Sequence, residues 1–234
     1  DFYSKANAPD KALEMIDSGI QKMPRNMKLR LALSYLQIAM RRHDSALETL
    51  NAALGLAKDD ADPDLLKVKN QLARLHLSKG EIDKAKQYLD AVIAVSANDV
   101  DAQFTAGQIY LRQKDGLNAI SAFRTVVVEK PDELKGHLLL AQAHLLQEEK
   151  QLAIDALTNG LTANPSAVEL RKALARIHAF DKDDAEAEKQ LRLIIGQRPK
   201  DPRVHSDLAD FLFSRERVDE AIAIYKKMVA EQPR

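Results

Sequence analysis

The chain has neither cysteine nor tryptophan among its 234 residues. The lack of cysteine removes disulfides, thiolate zinc sites and cysteine nucleophiles together. It leaves the compartment open, because an oxidising space does not oblige a protein to use cysteine. Aromatic residues make up 5%, and glycine and proline number 8 each, so element interiors are seldom interrupted. There is no excess of either charge, with 35 Lys and Arg against 35 Asp and Glu. A neutral chain gains little from counterion release, which argues against general nucleic-acid binding. No apolar run approaches the ~20 residues of a membrane-spanning helix, and no signal peptide is visible. The sequence also lacks a G-x-S-x-G elbow, G-x-G-x-x-G or P-loop glycines, and an H-E-x-x-H pair. Neither catalysis nor a cofactor is expected.

What remains is 45% hydrophobic and 30% charged, rich in the helix formers Ala, Leu, Lys, Glu and Gln. It repeats. Ala12, Ala46, Ala85, Ala119, Ala153, Ala187 and Ala221 are spaced 34, 39, 34, 34, 34 and 34 residues apart. Four residues after each comes a large residue: Ile16, Leu50, Leu89, Phe123, Leu157, Leu191 and Tyr225. Twelve before come small ones: Ser34, Ala73, Gly107, Ala141, Ala175 and Ala209. Twelve after come Pro24, Lys58, Ala97, Pro131, Pro165, Pro199 and Pro233. Two antiparallel helices that cross closely need a small residue on each at the crossing. The large residue lies one turn along on the same face, and proline stops the second helix.

These slots resemble the tetratricopeptide repeat pattern, W-x2-L-G-x2-Y…A-x3-F…P, over nearly the whole chain. The resemblance implies an all-α fold, a right-handed superhelical solenoid of antiparallel helix hairpins. A partial repeat over 1–26, mainly a second helix, precedes six hairpins at 27–65, 66–99, 100–133, 134–167, 168–201 and 202–234, one domain in all. A start inside a repeat, with Tyr3 in a partial first helix, and a stop at Pro233 without a polar capping helix lead us to expect a longer parent protein. Ser166 with Glu169 predicts a capping box, Asp201-Pro202 an N-cap with proline at the first helical position, and Asp99 another N-cap. Gly80 and Gly116 fall in turns between paired helices.

The pattern departs in three places. The interval of 39 inserts five residues around Lys58–Asp64, predicting a longer loop or an added helical turn. The family's Trp slot holds Arg30, Lys69, Gln103, His137, Arg171 and His205. The apolar residue one place earlier is missing only at Gly136, so looser packing is expected there. The Tyr slot holds Gln37, His76, Tyr110, His144, His178 and Leu212.

The histidines therefore occupy structural slots. His137 and His144 lie two turns apart on one face, about 10.5 Å at 1.5 Å per residue, too far to share a zinc ion. Asp181-Lys182-Asp183-Asp184 resembles the start of a calcium loop, but Glu186 and Arg192 stand where such a loop needs Gly and Glu. A solvated turn that caps the next helix explains the segment. Glu148 and Glu149 read as surface charge, since adjacent residues diverge.

The resemblance implies a concave face, lined mainly by first helices, as the ligand surface. Candidates there are Leu31, Tyr35 and Ile38; Asn70, Arg74 and Leu77; Phe104, Gln108 and Leu111; Leu138, Gln142 and Leu145; Lys172, Arg176 and Phe180; Ser206, Asp210 and Phe213. For Leu77, Leu111 and Leu145 the competing reading is ordinary packing between helices. Phe104, Phe180 and Phe213 are the expected exposed anchors, because aromatics dominate binding hot spots.

Co-chaperone repeats that hold acidic C-termini use a clamp of Lys, Asn, Asn, Lys and Arg. Its slots here hold Leu31, Tyr35, Gln71, Asp101 and Thr105, or Asn70, Arg74, Thr105, Lys135 and Leu139, or Leu138, Gln142, Ala173, Arg203 and Asp207. None makes the clamp. The expected function is a non-catalytic scaffold that binds protein or peptide segments, with self-association as a further option. The Glu-x-Pro junctions, Glu129-Lys130-Pro131 and Glu231-Gln232-Pro233, resemble those of bacterial cell-envelope repeat proteins that assist assembly or export. That similarity suggests a periplasmic or outer-membrane lipoprotein setting, with the cytoplasm as the alternative. The competing function is a regulatory or targeting arm of a larger enzyme such as a glycosyltransferase.

Overall fold

Helices account for all the regular structure in the computed structural model, which describes residues 9–231. In chain order they are α1 (Pro9–Lys22), α2 (Met27–Ala39), α3 (His43–Leu54), α4 (Pro63–Ser78), α5 (Ile82–Ile93), α6 (Val100–Arg112) and α7 (Gly116–Glu129). Then follow α8 (Leu134–Leu146), α9 (Lys150–Ala163), α10 (Val168–Phe180), α11 (Asp184–Gln197), α12 (Pro202–Ser214) and α13 (Val218–Glu231). Even-numbered helices are the first helices of the repeats and odd-numbered ones the second. Tyr3 and Pro233 lie outside the described residues.

The chain forms two compact units, Asp1–Gln113 and Lys114–Arg234. In the first, α2 pairs with α3 and α4 with α5. In the second, α8 pairs with α9, α10 with α11 and α12 with α13. First helices also touch across repeats, α2 with α4 and α4 with α6 in one unit, α8 with α10 in the other. Among the described residues, second helices make no comparable contact with one another. Within each unit the first helices thus form the tighter inner layer.

The reason is residue size. All seven anchor alanines are buried, as are Ser34, Ala73, Gly107, Ala141, Ala175 and Ala209 facing them. Leu50, Leu89, Phe123 and Leu157 fill the space one turn along. Tyr225 is the exception in that slot, 39% exposed on the last helix. In unit 1 the core runs through Leu31, Leu50, Val68 and Leu72. In unit 2 it runs through Val168, Ile194, Val204 and Leu208.

Caps set the helix starts. Asp201 accepts from the Arg203 amide with Pro202 at the first helical position, and Asp99 accepts from the Ala102 amide at 2.9 Å. The capping box at Ser166 does not form. The N-cap of α10 is Ala167, and Ser166 instead bonds through its amide and hydroxyl to Asn164 Oδ1. A short Asn side chain closes that turn before the helix begins, which leaves Ser166 outside the helix. The five-residue insertion produces both expected outcomes. The loop before α4 lengthens, and α4 starts at Pro63 and runs for 16 residues against 13 in the other first helices.

Among the described residues, every within-repeat turn uses one left-handed residue. Gly80 has φ 78°, whereas Arg41, Lys114, Glu148, Lys182 and Glu216 adopt φ of 60–62°. Gly116 is not the turn residue: it opens α7, and Lys114 takes the left-handed conformation.

Packing at Gly136 is close rather than loose. A Cβ there would meet Val126 Cγ1 at 2.9 Å and Val127 Cγ1 at 3.1 Å, so the glycine lets α8 approach α7. Gly160 does the same on α9, where a Cβ would lie 2.7 Å from His137 Cγ and from Leu170 Cδ1.

Candidate docking surface on the first helices

The polar residues in the Trp slot have a shared role that sequence reading missed. Gln103 donates to Ala97 O at 2.7 Å, His137 Nε2 lies 2.9 Å from Pro131 O, Arg171 donates to Pro165 O at 3.1 Å, and His205 Nε2 lies 2.7 Å from Pro199 O. Arg30 makes the same bond to Pro24 O. Each ties a first helix to the carbonyl six residues earlier, where the preceding repeat ends. Lys69 follows the lengthened loop, and there the cation reaches Asp60 instead, at 3.3 Å. The legible signal was polarity retained in a slot the family fills with an aromatic.

The Tyr-slot histidines are equally regular. His76 Nδ1 lies 2.7 Å from Glu81 Oε2, His144 Nδ1 2.7 Å from Glu149 Oε2, and His178 Nδ1 3.1 Å from Asp183 Oδ2. Each carboxylate is the N-cap residue of the following second helix. Glu149 is therefore a structural clasp rather than free surface charge. Asp183 also accepts from the Glu186 amide, capping α11 as the turn reading required. A carboxylate five residues after a Tyr-slot histidine was visible in the sequence in three repeats. Lys84 first, and then His76, hold the Glu81 carboxyl below its ordinary value.

The candidate groove residues divide by unit. In unit 1, Leu31 and Leu77 belong to the core, and buried Asn70 donates to Asp99 Oδ1 at 2.9 Å. Phe104, Gln108, Leu111 and Ile38 are half-buried. Arg74 is exposed but pairs with Asp101 on α6 at 2.6 Å. Tyr35, 49% exposed, is the large apolar side chain this unit presents on its first helices.

In unit 2, Leu138 and Ser206 are half-buried, and Gln142 and Leu145 are exposed. Lys172 pairs with Asp207 on α12. Asp210 accepts from the Tyr225 hydroxyl at 2.6 Å, and this bond raises the tyrosine's pKa. Arg176 is exposed. Phe180 is 90% exposed and Phe213 64%. A cleft of about 140 Å³ is lined by Lys172, Ala175, Arg176 and Ala179 of α10, Leu191 of α11, and Asp207 and Phe211 of α12.

Two sequence profiles described as tetratricopeptide repeat match the chain, one over residues 4–67 and 150–209 and the other over 70–133 and 185–234. The first covers more than half of the sequence. The chain belongs to the tetratricopeptide repeat family. Neither profile spans α8, the helix with Gly136 and two histidines. Among curated relatives, mouse interferon-induced protein with tetratricopeptide repeats 3 is 26% identical over 210 residues, covering 83% of this chain and 52% of its own length. This chain spans no more than about half the length of the curated relatives it matches. Two solved structures share the fold. The C-terminal part of a Cytophaga hutchinsonii repeat protein superposes with a TM-score of 0.71 at 17% identity, covering 98% of this chain and 93% of that one. YrrB, described as a tetratricopeptide repeat protein with an unusual peptide-binding site, has a TM-score of 0.62 at 12% identity, covering 87% and 99%. Proteins of this family generally mediate protein–protein interactions and typically serve as non-catalytic scaffolds.

Proposed function

We propose that the chain is a non-catalytic scaffold that docks segments of other proteins on its first-helix faces. The observation that carries this reading is the set of large apolar side chains left in solvent on first helices, Tyr35 in unit 1 and Leu145, Leu146, Phe180 and Phe213 in unit 2. Isolated exposed apolar residues need no explanation, but aromatics left on the first helices of one unit, as Phe180 and Phe213 are, are what a partner would bury. The peptide-binding site described for YrrB supports the same direction. A cross-linking and mass-spectrometry experiment on the full-length protein in its native cells tests it. Partner cross-links should concentrate on α2, α8, α10 and α12, and should fall sharply in a Phe180→Ser, Phe213→Ser double variant. Cross-links confined to second helices would overturn the reading.

The setting we propose is an assembly or export system of a bacterial envelope, supported by the style of the inter-repeat junctions in the sequence. Fractionation of the source cells checks it, and recovery wholly in the cytosol would reject it.

A further inference from the structure

The same slot holds an arginine in two repeats, Arg74 on α4 and Arg176 on α10, each the ninth residue of its repeat's first-helix register. Arg74 is neutralised by Asp101, the second residue of the next first helix. The equivalent residue after Arg176 is Arg203, a cation held by Asp201 through two bonds of 3.0 Å. Arg176 thus lacks the partner its counterpart has, and among the described residues it makes no ion pair. The two carboxylates of α12 are already engaged, Asp207 in the cleft lining by Lys172 and Asp210 by Tyr225. An unneutralised guanidinium therefore lines the cleft together with the apolar Ala175, Ala179, Leu191 and Phe211. Ala175 and Ala179 are the small residues that open this space. The cleft is open to solvent, and its volume of about 140 Å³ leaves room for one apolar side chain.

We propose that the α10–α12 cleft seats an acidic-apolar segment of a partner protein. One large apolar side chain of the partner, of aromatic or leucine size, enters between Ala175, Ala179 and Phe211. An Asp or Glu close to it in sequence binds Arg176, whose planar guanidinium suits a bidentate carboxylate. Phe180, one turn beyond Arg176 on α10 and 90% exposed, offers the segment further apolar surface. The inference rests on the docking reading and names the chemistry of its ligand.

The test uses the whole chain as bait for a phage-displayed library of random dodecapeptides, followed by fluorescence anisotropy on synthetic versions of the selected clones. Selected sequences should combine an apolar residue with a neighbouring Asp or Glu. Arg176→Glu should weaken them at least tenfold, and peptides carrying Lys in place of the acid should recover binding to that variant. Arg74→Glu is the matched control and should leave affinity within twofold. Both arginines are exposed, and a thermal melt checks that each variant folds. Selection of basic peptides, or affinities indifferent to Arg176→Glu, would overturn the cleft assignment while leaving the docking reading standing. Failure of any clone to outgrow the naive library would count against both.

Discussion

Repeats two and five use an arginine at the same first-helix slot to opposite effect. In unit 1 Arg74 reaches Asp101 and ties α4 to α6. In unit 2 the next helix offers Arg203, and Arg176 stays exposed. The apolar slots a turn further on behave likewise. Leu77 is in the core of unit 1, whereas Leu145 and Phe213 stand in solvent in unit 2. A residue's identity and register thus do not decide whether it holds the array together or stays in solvent. The residue one repeat away decides, because it supplies the countercharge or the covering surface.

Four experiments would break or sharpen this comparison, and the largest effect should come from overpacking one unit. Ala153 is fully buried at the α8–α9 crossing. Ala153→Trp should cost more than about 3 kcal/mol, at the upper end for an overfilled core. Methyl NMR should show unit 2 losing its native shifts while signals from α2–α5 persist, because repeat stability is a sum of local terms. Parent-like spectra would reject the register.

His137→Ala should follow. The ring is buried with Nδ1 2.9 Å from Ala156 O and Nε2 2.9 Å from Pro131 O. Removing it opens a cavity and strands carbonyl acceptors, at about 2–4 kcal/mol. Chemical denaturation measures this, and a loss below about 1 kcal/mol would show that the repeat junction does not depend on the ring.

The turns should give a smaller and opposite pair. Gly80→Ala in unit 1 should destabilise by about 1 kcal/mol, since it places a Cβ at φ 78°. Glu148→Gly in unit 2 should stabilise by a few tenths of a kcal/mol, left-handed relief outweighing the added chain entropy. Equal signs would refute the turn assignment.

Acid should separate the units least. Asp44 and Glu81 in unit 1 are held below their ordinary values by lysines, Asp44 by Lys79 and Glu81 by Lys84. In unit 2 Glu186 is lowered by Lys189, Asp201 by Arg203 and Glu220 by Arg217. For Glu188, burial works the other way but Arg217 and Arg192 prevail. Depressed carboxyls contribute stability that is fully present above their unfolded values, 3.8 for Asp and 4.5 for Glu, and lost as pH falls through the folded values. Unit 2 should therefore soften slightly earlier in an NMR titration from pH 6 to pH 3. Solvent screening keeps the effect small.

Much of the hairpin register was legible because it depends on near neighbours. The 34-residue spacing, the buried alanines and the caps at Asp99 and Asp201 follow from contacts along one helix or across one turn. Where local signals misled, another local group won: Asn164 displaced Ser166 as the side chain closing its turn, and Gly136 brought α8 and α7 close instead of loosening them. The candidate surface was less legible. Of the first-helix slots, Leu31, Asn70 and Leu77 are internal, and Arg74, Lys172 and Asp210 are already engaged.

By itself, then, the sequence determined that this is an all-α repeat protein, and which face of each helix is small enough to be crossed. Only the tertiary structure decided which charges are neutralised and which aromatics remain in solvent. Periodicity reports the face a side chain occupies on its own helix. Burial and ion pairing depend on what the next first helix, about 34 residues away, brings opposite it.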